Sequence, residues 1–186
     1  MGQIYYYFVA SLPTLFWDAT PPFLAEEFLE KSRSYLNETD ERLLEDLLDP
    51  GADGPGHFKN SLLETWQKFS HDLRNELAYA RAVKAGKDPT RFLRGPLAGE
   101  FSLTEIVRQA TGTDDPLSAE KVLDFYRWQY LEDLGRFHYF DFESLLVYGL
   151  KLQILERYQH IRSTQGQERL TQWTHSHPRG ESGSIV

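Results

Sequence analysis

The stretch "WQYLEDLGRFHYFDFESLLVYGLKLQILERY", Trp128–Tyr158, decides the fold prediction. On either side of a short break, its apolar residues recur at three- and four-residue steps, which is the spacing of one helix face. The break is Gly135–Phe140, and Asp141 follows it as a residue type that caps helix N-termini. The stretch therefore predicts two long helices, one over residues 117–134 and one from 141 to about 162.

Helical spacing continues toward the N-terminus. A long helix is predicted from Lys59 to Ala85, because its apolar residues keep three- and four-residue steps. Ser102–Glu105 has the form of a Ser-x-x-Glu capping box and predicts a shorter helix that ends near residue 112. Two further helices are predicted to begin at Pro21-Pro22 and at a cap formed by Asn37 or Thr39.

These patterns favour an all-α fold, a helical bundle with one or two long helices. Only the opening reads like a strand, and a single strand has no partner with which to form a sheet. A length of 186 residues suits one well-buried core. We therefore predict a single helical domain over residues 1–174, followed by a polar, disordered tail over residues 175–186.

The opening, "IYYYFVASLP", Ile4–Pro13, is compatible with a targeting signal, a strand or a short helix. It lacks the basic region and the small-residue cleavage site of a signal peptide, and no apolar run approaches the roughly 20 residues that span a bilayer. We expect a short buried helix or an extended plug that ends at Pro13, with the tyrosine rings packed inward. A cytoplasmic location is expected.

Charge limits the classes of partner. The formal net charge is −8, so nucleic acid is not an expected partner, because phosphate binding needs a basic face. Acidic residues dominate residues 25–53, whereas residues 74–94 are basic. This asymmetry fits either two docking faces or simply two solvated helix surfaces. The candidate basic interface residues are Arg81, Lys84, Arg91 and Arg94.

Catalytic and metal-binding spacings are missing from the sequence. It contains no cysteine, no glycine-rich phosphate loop and no His-Glu-x-x-His. No glutamate is followed by histidine three residues later, so the Glu-x-x-His pairs of helical di-metal sites are absent too. We expect no cofactor and no metal, and a protein that is not an enzyme. A carboxylate-rich catalytic site is the minor alternative.

Two stretches, "YYYFVASLP" and Trp128–Tyr158, resemble an uncharacterised bacterial family whose members are encoded beside subunits of V-type (V/A-type) ATPases. The resemblance covers about residues 1–165. Such operons lack a recognisable gene for the helical cap that joins the central stalk to the rotor ring. This protein, which we call the cap subunit, carries the letter C in bacterial enzymes and d in the vacuolar enzyme.

The opening also shows a remote resemblance to the cap subunit, whose first helix often carries Tyr-x-Tyr-x-x-Ala-Arg. Here Tyr5, Tyr7 and Ala10 match that pattern, and Ser11 occupies the arginine position. Pro13 interrupts the corresponding helix, and the three similar helical units of the cap subunit are not visible as a sequence repeat. The resemblance implies a shortened arrangement of helix pairs like those of the cap subunit.

The resemblance implies a non-catalytic subunit or assembly factor of a bacterial V-type ATPase, with a central-stalk cap as the favoured role. Its partners would be the central stalk and the rotor ring, and it would be peripheral to the inner membrane only through the complex. The alternative is a free-standing helical interaction or regulatory protein unrelated to the ATPase.

The break before Asp141 supplies the other candidate interface residues: Arg136, Phe137, Tyr139 and Phe140. Its aromatic residues fit two interpretations. They form either a hydrophobic staple around the Asp141 cap or an exposed interface.

Overall fold

The computed structural model describes residues 3–49, 59–113 and 115–162, which contain α-helices and no strand. The prediction of an all-α fold is confirmed. Two short 3-10 helices, Arg33–Tyr35 and Pro89–Phe92, complete the regular structure of these ranges. The α-helices are α1 (Gln3–Ser11), α2 (Ala25–Ser32), α3 (Glu38–Leu48), α4 (Ser61–Lys84), α5 (Phe101–Gly112), α6 (Pro116–Leu134) and α7 (Phe142–Arg162).

Three helices are long rather than one or two: α4 has 24 residues, α6 has 19 and α7 has 21. None of the helices in the described ranges combines the length and the apolar character that crossing a membrane requires. The glycine-rich stretch at residues 50–58 and the predicted tail at 175–186 lie outside the described residues.

Side-chain caps explain where several helices begin. The side-chain oxygens of Asn37, Asn60 and Asp115 each accept bonds from two backbone N–H groups of the following turn. Asp141 Oδ1 likewise accepts from the backbone N–H of Ser144 at 3.0 Å. These acceptors satisfy N–H groups that have no partner within the helix. The predicted caps at Asn37 and Asp141 are therefore confirmed.

Two predicted helix starts are wrong. Helix α5 begins at Phe101, with Glu100 at the cap position and no side-chain cap, so Ser102 lies inside the first turn. Helix α2 begins at Ala25, after rather than at Pro21-Pro22. The backbone N–H of Ala25 donates to the Glu156 carboxylate of α7, so a tertiary contact provides the cap that the local sequence lacks.

The buried side chains form two clusters. The larger cluster gathers α1, α2, α3 and the start of α4 around α7 and the second half of α6. The smaller cluster joins α4, α5 and α6, and Phe69 stacks on Tyr130 with ring centroids 3.8 Å apart. Trp66 of α4 packs against both clusters. Helices α4 and α6 therefore link the two parts of the core.

Helix α7 approaches α2 and α3 closely at Gly149. A Cβ atom on this residue would lie 3.1 Å from Leu48 and 3.3 Å from Phe28. Both neighbours are buried. A side chain at position 149 would force α7 away from them, so glycine here is required by packing.

The basic segment after α4 is held by a side chain. Asn75, which is buried, accepts from the backbone N–H of Arg94 at 3.0 Å and donates to the carbonyl oxygen of the same residue at 3.2 Å. This pair of bonds replaces the main-chain pairing that an irregular segment lacks. The interruption predicted for residues 87–100 is found, and it contains the 3-10 helix Pro89–Phe92.

The opening forms helix α1, which ends at Ser11, two residues before Pro13. The prediction that its tyrosines pack inward is wrong for Tyr6 and Tyr7, which are exposed. Phe8 is the buried residue, and its ring lies against Phe28 and Tyr35. A short helix lying on the edge of a core buries one stripe, so successive tyrosines necessarily point in different directions.

Tyr5 anchors α1 to α3 and predicts a loss of stability in alkaline solution. Its hydroxyl donates to Asp40, and burial together with this bond raises the pKa of Tyr5 to about 12. The neutral phenol is thus favoured in the folded state, so its stabilising contribution is full below pH ~10 and is lost as pH rises through about 12.

The Tyr5→Phe variant should therefore ionise one fewer tyrosine late in an alkaline absorbance titration. It should also show a weaker fall of melting temperature with pH. Tyr7→Phe, which changes an exposed tyrosine of the same helix, is the control. Equal alkaline profiles for the two variants would contradict the anchoring role of Tyr5.

Candidate functional site

The two stretches that carry the family resemblance meet on the surface. Helix α1 lies against the start of α7, with the rings of Tyr5 and Phe142 6.1 Å apart. The ring of Tyr6 contacts that of Phe140, with centroids 4.5 Å apart. Together with their exposed neighbours these residues form what we call the aromatic patch, whose exposed fractions are Tyr6 47%, Tyr7 72%, Phe137 82%, Tyr139 68% and Phe140 44%.

The loop that carries three of these aromatic residues is hydrogen-bonded at both ends. At its start, the backbone N–H of Gly135 donates to Leu131 and that of His138 donates to Gly135. At its end, His138 Nδ1 lies 2.6 Å from Asp141 Oδ2, while the other oxygen of this carboxylate caps α7. The aromatic side chains thus project from a restrained backbone.

The hydrophobic-staple interpretation is wrong for most of this loop. Phe142 is buried, but Phe137 and Tyr139 extend into solvent instead of packing around the Asp141 cap. Phe140 contacts Tyr6 of α1 rather than its own helix. The hydrogen bonds of Asp141 already determine how the chain enters α7, so the loop aromatics are not needed for that purpose.

An open groove of about 640 Å³ adjoins the aromatic patch. One wall consists of α1 and the residues after it, which the Tyr148 hydroxyl holds by donating to the Pro13 carbonyl at 2.9 Å. The other wall includes Arg136 and Tyr139 of the loop. No ion pair to Arg136 is found among the residues that the structure describes, so its charge is available to a partner.

The residues that match the pattern of the cap subunit do not form one surface. Tyr5 is turned toward Asp40 of α3, whereas Tyr7 is exposed. Residues two apart on a helix point in different directions, which explains the separation. Ala10 and Ser11 are exposed, and the Ser11 hydroxyl donates to the Phe8 carbonyl within the last turn of α1.

The four basic candidates lie elsewhere, on the C-terminal part of α4 and the segment after it. No contact within the described ranges joins them to the aromatic patch. Three of them have partners inside the chain: Arg81 faces Glu120 at 3.9 Å, Lys84 donates to the Thr111 carbonyl at 2.9 Å and Arg91 faces Asp88 at 3.7 Å. Arg94 lines a shallow cleft together with Arg74 and His71.

His138, Asp141 and Glu143 bring three potential metal-ligand atoms within 4.8 Å of one another. Their hydrogen bonds already have a structural purpose. Asp141 caps α7 and contacts His138, while Glu143 accepts from Asn60, the cap of α4, at 3.2 Å. The group thus fastens the starts of α4 and α7, and we assign it no metal.

Two kinds of surface residue do not follow from the sequence patterns. Tyr6 is predicted to pack inward with its neighbours, although the tilt of α1 places it on the patch. The arginines of α4, α6 and α7 that share a cavity with Trp66 are not predicted as a group either. A signal for the second exists in Asp124, an acidic residue next to the apolar positions of α6.

Comparisons with known proteins bear on part of the chain. No match is found among curated proteins or among solved structures. Residues 96–175 match the model of a family described as "Protein of unknown function (DUF2764)". The match contains the whole Trp128–Tyr158 stretch and the loop of the aromatic patch, whereas α1 lies outside it. Over residues 96–175 the chain thus resembles an uncharacterised protein family, DUF2764.

Proposed function

We propose that this protein is a non-catalytic helical subunit or assembly factor of a bacterial V-type ATPase, with the central-stalk cap as its favoured role. The observation that carries the proposal is the aromatic patch. It is assembled from the same two stretches that resemble the ATPase-associated family, at opposite ends of the chain. A surface built from both stretches is the natural candidate for the shared activity of such a family.

The patch has the properties of a binding surface. Tyrosine is enriched at interaction hot spots, and contiguous exposed aromatic surface marks sites of association in soluble proteins. Phe137 and Tyr139 are among the most exposed large side chains of the described residues. The hydrogen-bonded loop ends reduce the entropy that is lost when these side chains are immobilised by a partner.

Arg136 indicates the chemistry of the partner surface. It stands beside the aromatic patch at the edge of the groove. A complementary surface would offer an apolar depression for the aromatic rings and a carboxylate opposite the guanidinium. A helical stalk protein with an acidic, apolar end would satisfy both requirements.

Arg81, Lys84, Arg91 and Arg94 are the proposed second docking face, toward the rotor ring. Because three of these side chains have partners within the chain, we expect this face to contribute less binding energy than the patch. Attachment to the inner membrane would be indirect, through the complex on its cytoplasmic side, and nucleic acid is not an expected partner.

Co-purification with affinity-tagged ATPase subunits tests the proposal. The Phe137→Ala/Tyr139→Ala double variant should lose most of the association, because truncating one hot-spot aromatic costs about 2 kcal/mol or more, which is roughly thirtyfold in affinity. Phe16→Ala/Phe101→Ala, which removes two exposed aromatics outside the patch, should associate normally. An intact ATPase complex that lacks this chain would sink the proposal.

The second candidate is a free-standing helical interaction or regulatory protein. The core organisation favours it, since the buried side chains of the described residues form two unlike clusters rather than three similar units. Under this alternative the double variant would still lose a partner, but mass spectrometry would identify that partner as a protein outside the ATPase. Gene neighbourhood without ATPase genes would point the same way.

A further inference from the structure

A cavity of about 350 Å³ lies between α4 and α7, with α6 beneath it. Each helix contributes one arginine: Arg74 from α4, Arg127 from α6 and Arg157 from α7. Ser70 and Gln153 add polar groups, and the remaining wall is apolar. The lining thus combines convergent positive charges with an apolar surface, which is typical of small-molecule sites.

A single carboxylate organises two of the arginines. Asp124 is fully buried, and its Oδ1 accepts from Arg127 Nη1 at 2.7 Å and also contacts Arg157 Nη2. No partner is found for Asp124 Oδ2 among the described residues. The acid therefore holds both guanidiniums in fixed positions while neutralising only one of their two charges.

Arg74 adds a third positive charge that no described acid neutralises. No ion pair to it is found in the described ranges, and it lies close enough to Arg157 for its charge to act on that group. Burial is the main cause that lowers the pKa of Arg157, and the charge of Arg74 lowers it further, whereas Glu120 opposes both. Glu120 itself faces Arg81 at 3.9 Å and does not line the cavity.

We propose that this cavity binds a phosphate group, either as the free ion or as part of a small phosphate ester. Planar guanidiniums match phosphate oxygens in pairs, and a partly buried site strengthens these charge-assisted bonds. An anion between Arg74 and Arg157 would relieve the repulsion of two like charges. In an ester, the organic part would lie against Trp66, Leu150 and Ile154.

The site is independent of the proposed ATPase role, because none of its residues belongs to the aromatic patch or to the candidate basic face. Its position in the core suggests a consequence for stability. An anion that binds only the folded protein would raise the melting temperature in proportion to its occupancy.

Calorimetric titration of the full chain in phosphate-free buffer tests the proposal, with inorganic phosphate, AMP and adenosine as probes. Phosphate, AMP or both should bind and raise the melting temperature, whereas adenosine should not bind. Binding of phosphate alone assigns the free ion, and binding of AMP assigns an ester. The affinity should fall as salt is added, since the attraction is electrostatic.

The Arg74→Gln variant should weaken binding by about tenfold or more, because it removes a charge-assisted contact. It should fold normally, since Arg74 is exposed. Arg42→Gln, the same change at an exposed site on α3, is the matched control and should bind as the unmodified chain does. The proposal is overturned if neither phosphate nor AMP binds, if adenosine binds as well as AMP, or if the two variants behave alike.

Discussion

The Asp124→Asn variant is expected to lower the free energy of unfolding by about 3 kcal/mol or more. Asp124 is fully buried and contacts the guanidiniums of Arg127 and Arg157. Only 15% of the Arg127 side chain is exposed, so without the carboxylate its charge would remain buried and unpaired. Burial already lowers the pKa of Arg127, yet a guanidinium stays charged in proteins and cannot escape this cost by losing its proton.

Urea unfolding followed by circular dichroism measures this effect. Asp133→Asn, at an exposed site on the same helix, should change the free energy of unfolding by no more than about 0.5 kcal/mol. Replacing all three charges together, as D124L/R127M/R157M, should restore much of the lost stability, because apolar substitutes of similar size leave nothing buried and unpaired. A loss for Asp124→Asn no larger than that for Asp133→Asn would contradict the role of this ion cluster.

The second large effect is expected at Phe28 of α2. This ring is fully buried and lies 5.9 Å from the ring of Phe8 and 5.1 Å from that of Tyr148. It also fills the space beside Gly149, where α7 approaches α2. Phe28→Ala should therefore cost about 3–5 kcal/mol, through lost apolar burial and the cavity left behind.

The same unfolding experiment tests this prediction, with Phe16→Ala as the matched control. Phe16 is an exposed phenylalanine of the segment between α1 and α2, so its truncation should change stability little. Similar losses for the two variants would mean that α2 is not part of the cooperative core. Because α1 stacks on Phe28 through Phe8, Phe28→Ala should also release α1 and with it half of the aromatic patch.

Local sequence is sufficient for the type and order of the long helices. The apolar steps in residues 117–134 and 141–162 reflect the helical repeat, which every packed helix must satisfy. Caps such as Asn37 and Asp141 are also readable, because a capping side chain bonds backbone groups only two or three residues away. Interactions of this range depend little on the rest of the fold.

Helix starts that depend on distant residues are not readable from the sequence. Ala25 begins α2 because Glu156, far along the chain, accepts its N–H group. The Ser102–Glu105 spacing suggests a cap, yet α5 starts one residue earlier, and Glu105 instead bonds Arg108 and Gln109. A motif of two side chains is weak evidence when other partners of the same range compete for them.

The direction of the aromatic side chains is likewise decided by tertiary packing. Phe137 and Phe142 are the same residue type in one short stretch, yet one is exposed and the other is buried. Hydrophobicity favours burial for both. The hydrogen-bonded loop after α6 positions Phe142 over Tyr5 and leaves Phe137 on the outside.

The all-α class, the long helices and the lack of catalytic spacings follow from the sequence alone, because they rest on short-range periodicity and on residue types. The aromatic patch and the arginine cavity required the tertiary structure. The patch joins residues 6 and 7 to residues 137–140, and the cavity joins residues 74, 127 and 157. Such groups form only when helices pack, since buried apolar area, and not sequence proximity, determines which helix faces meet.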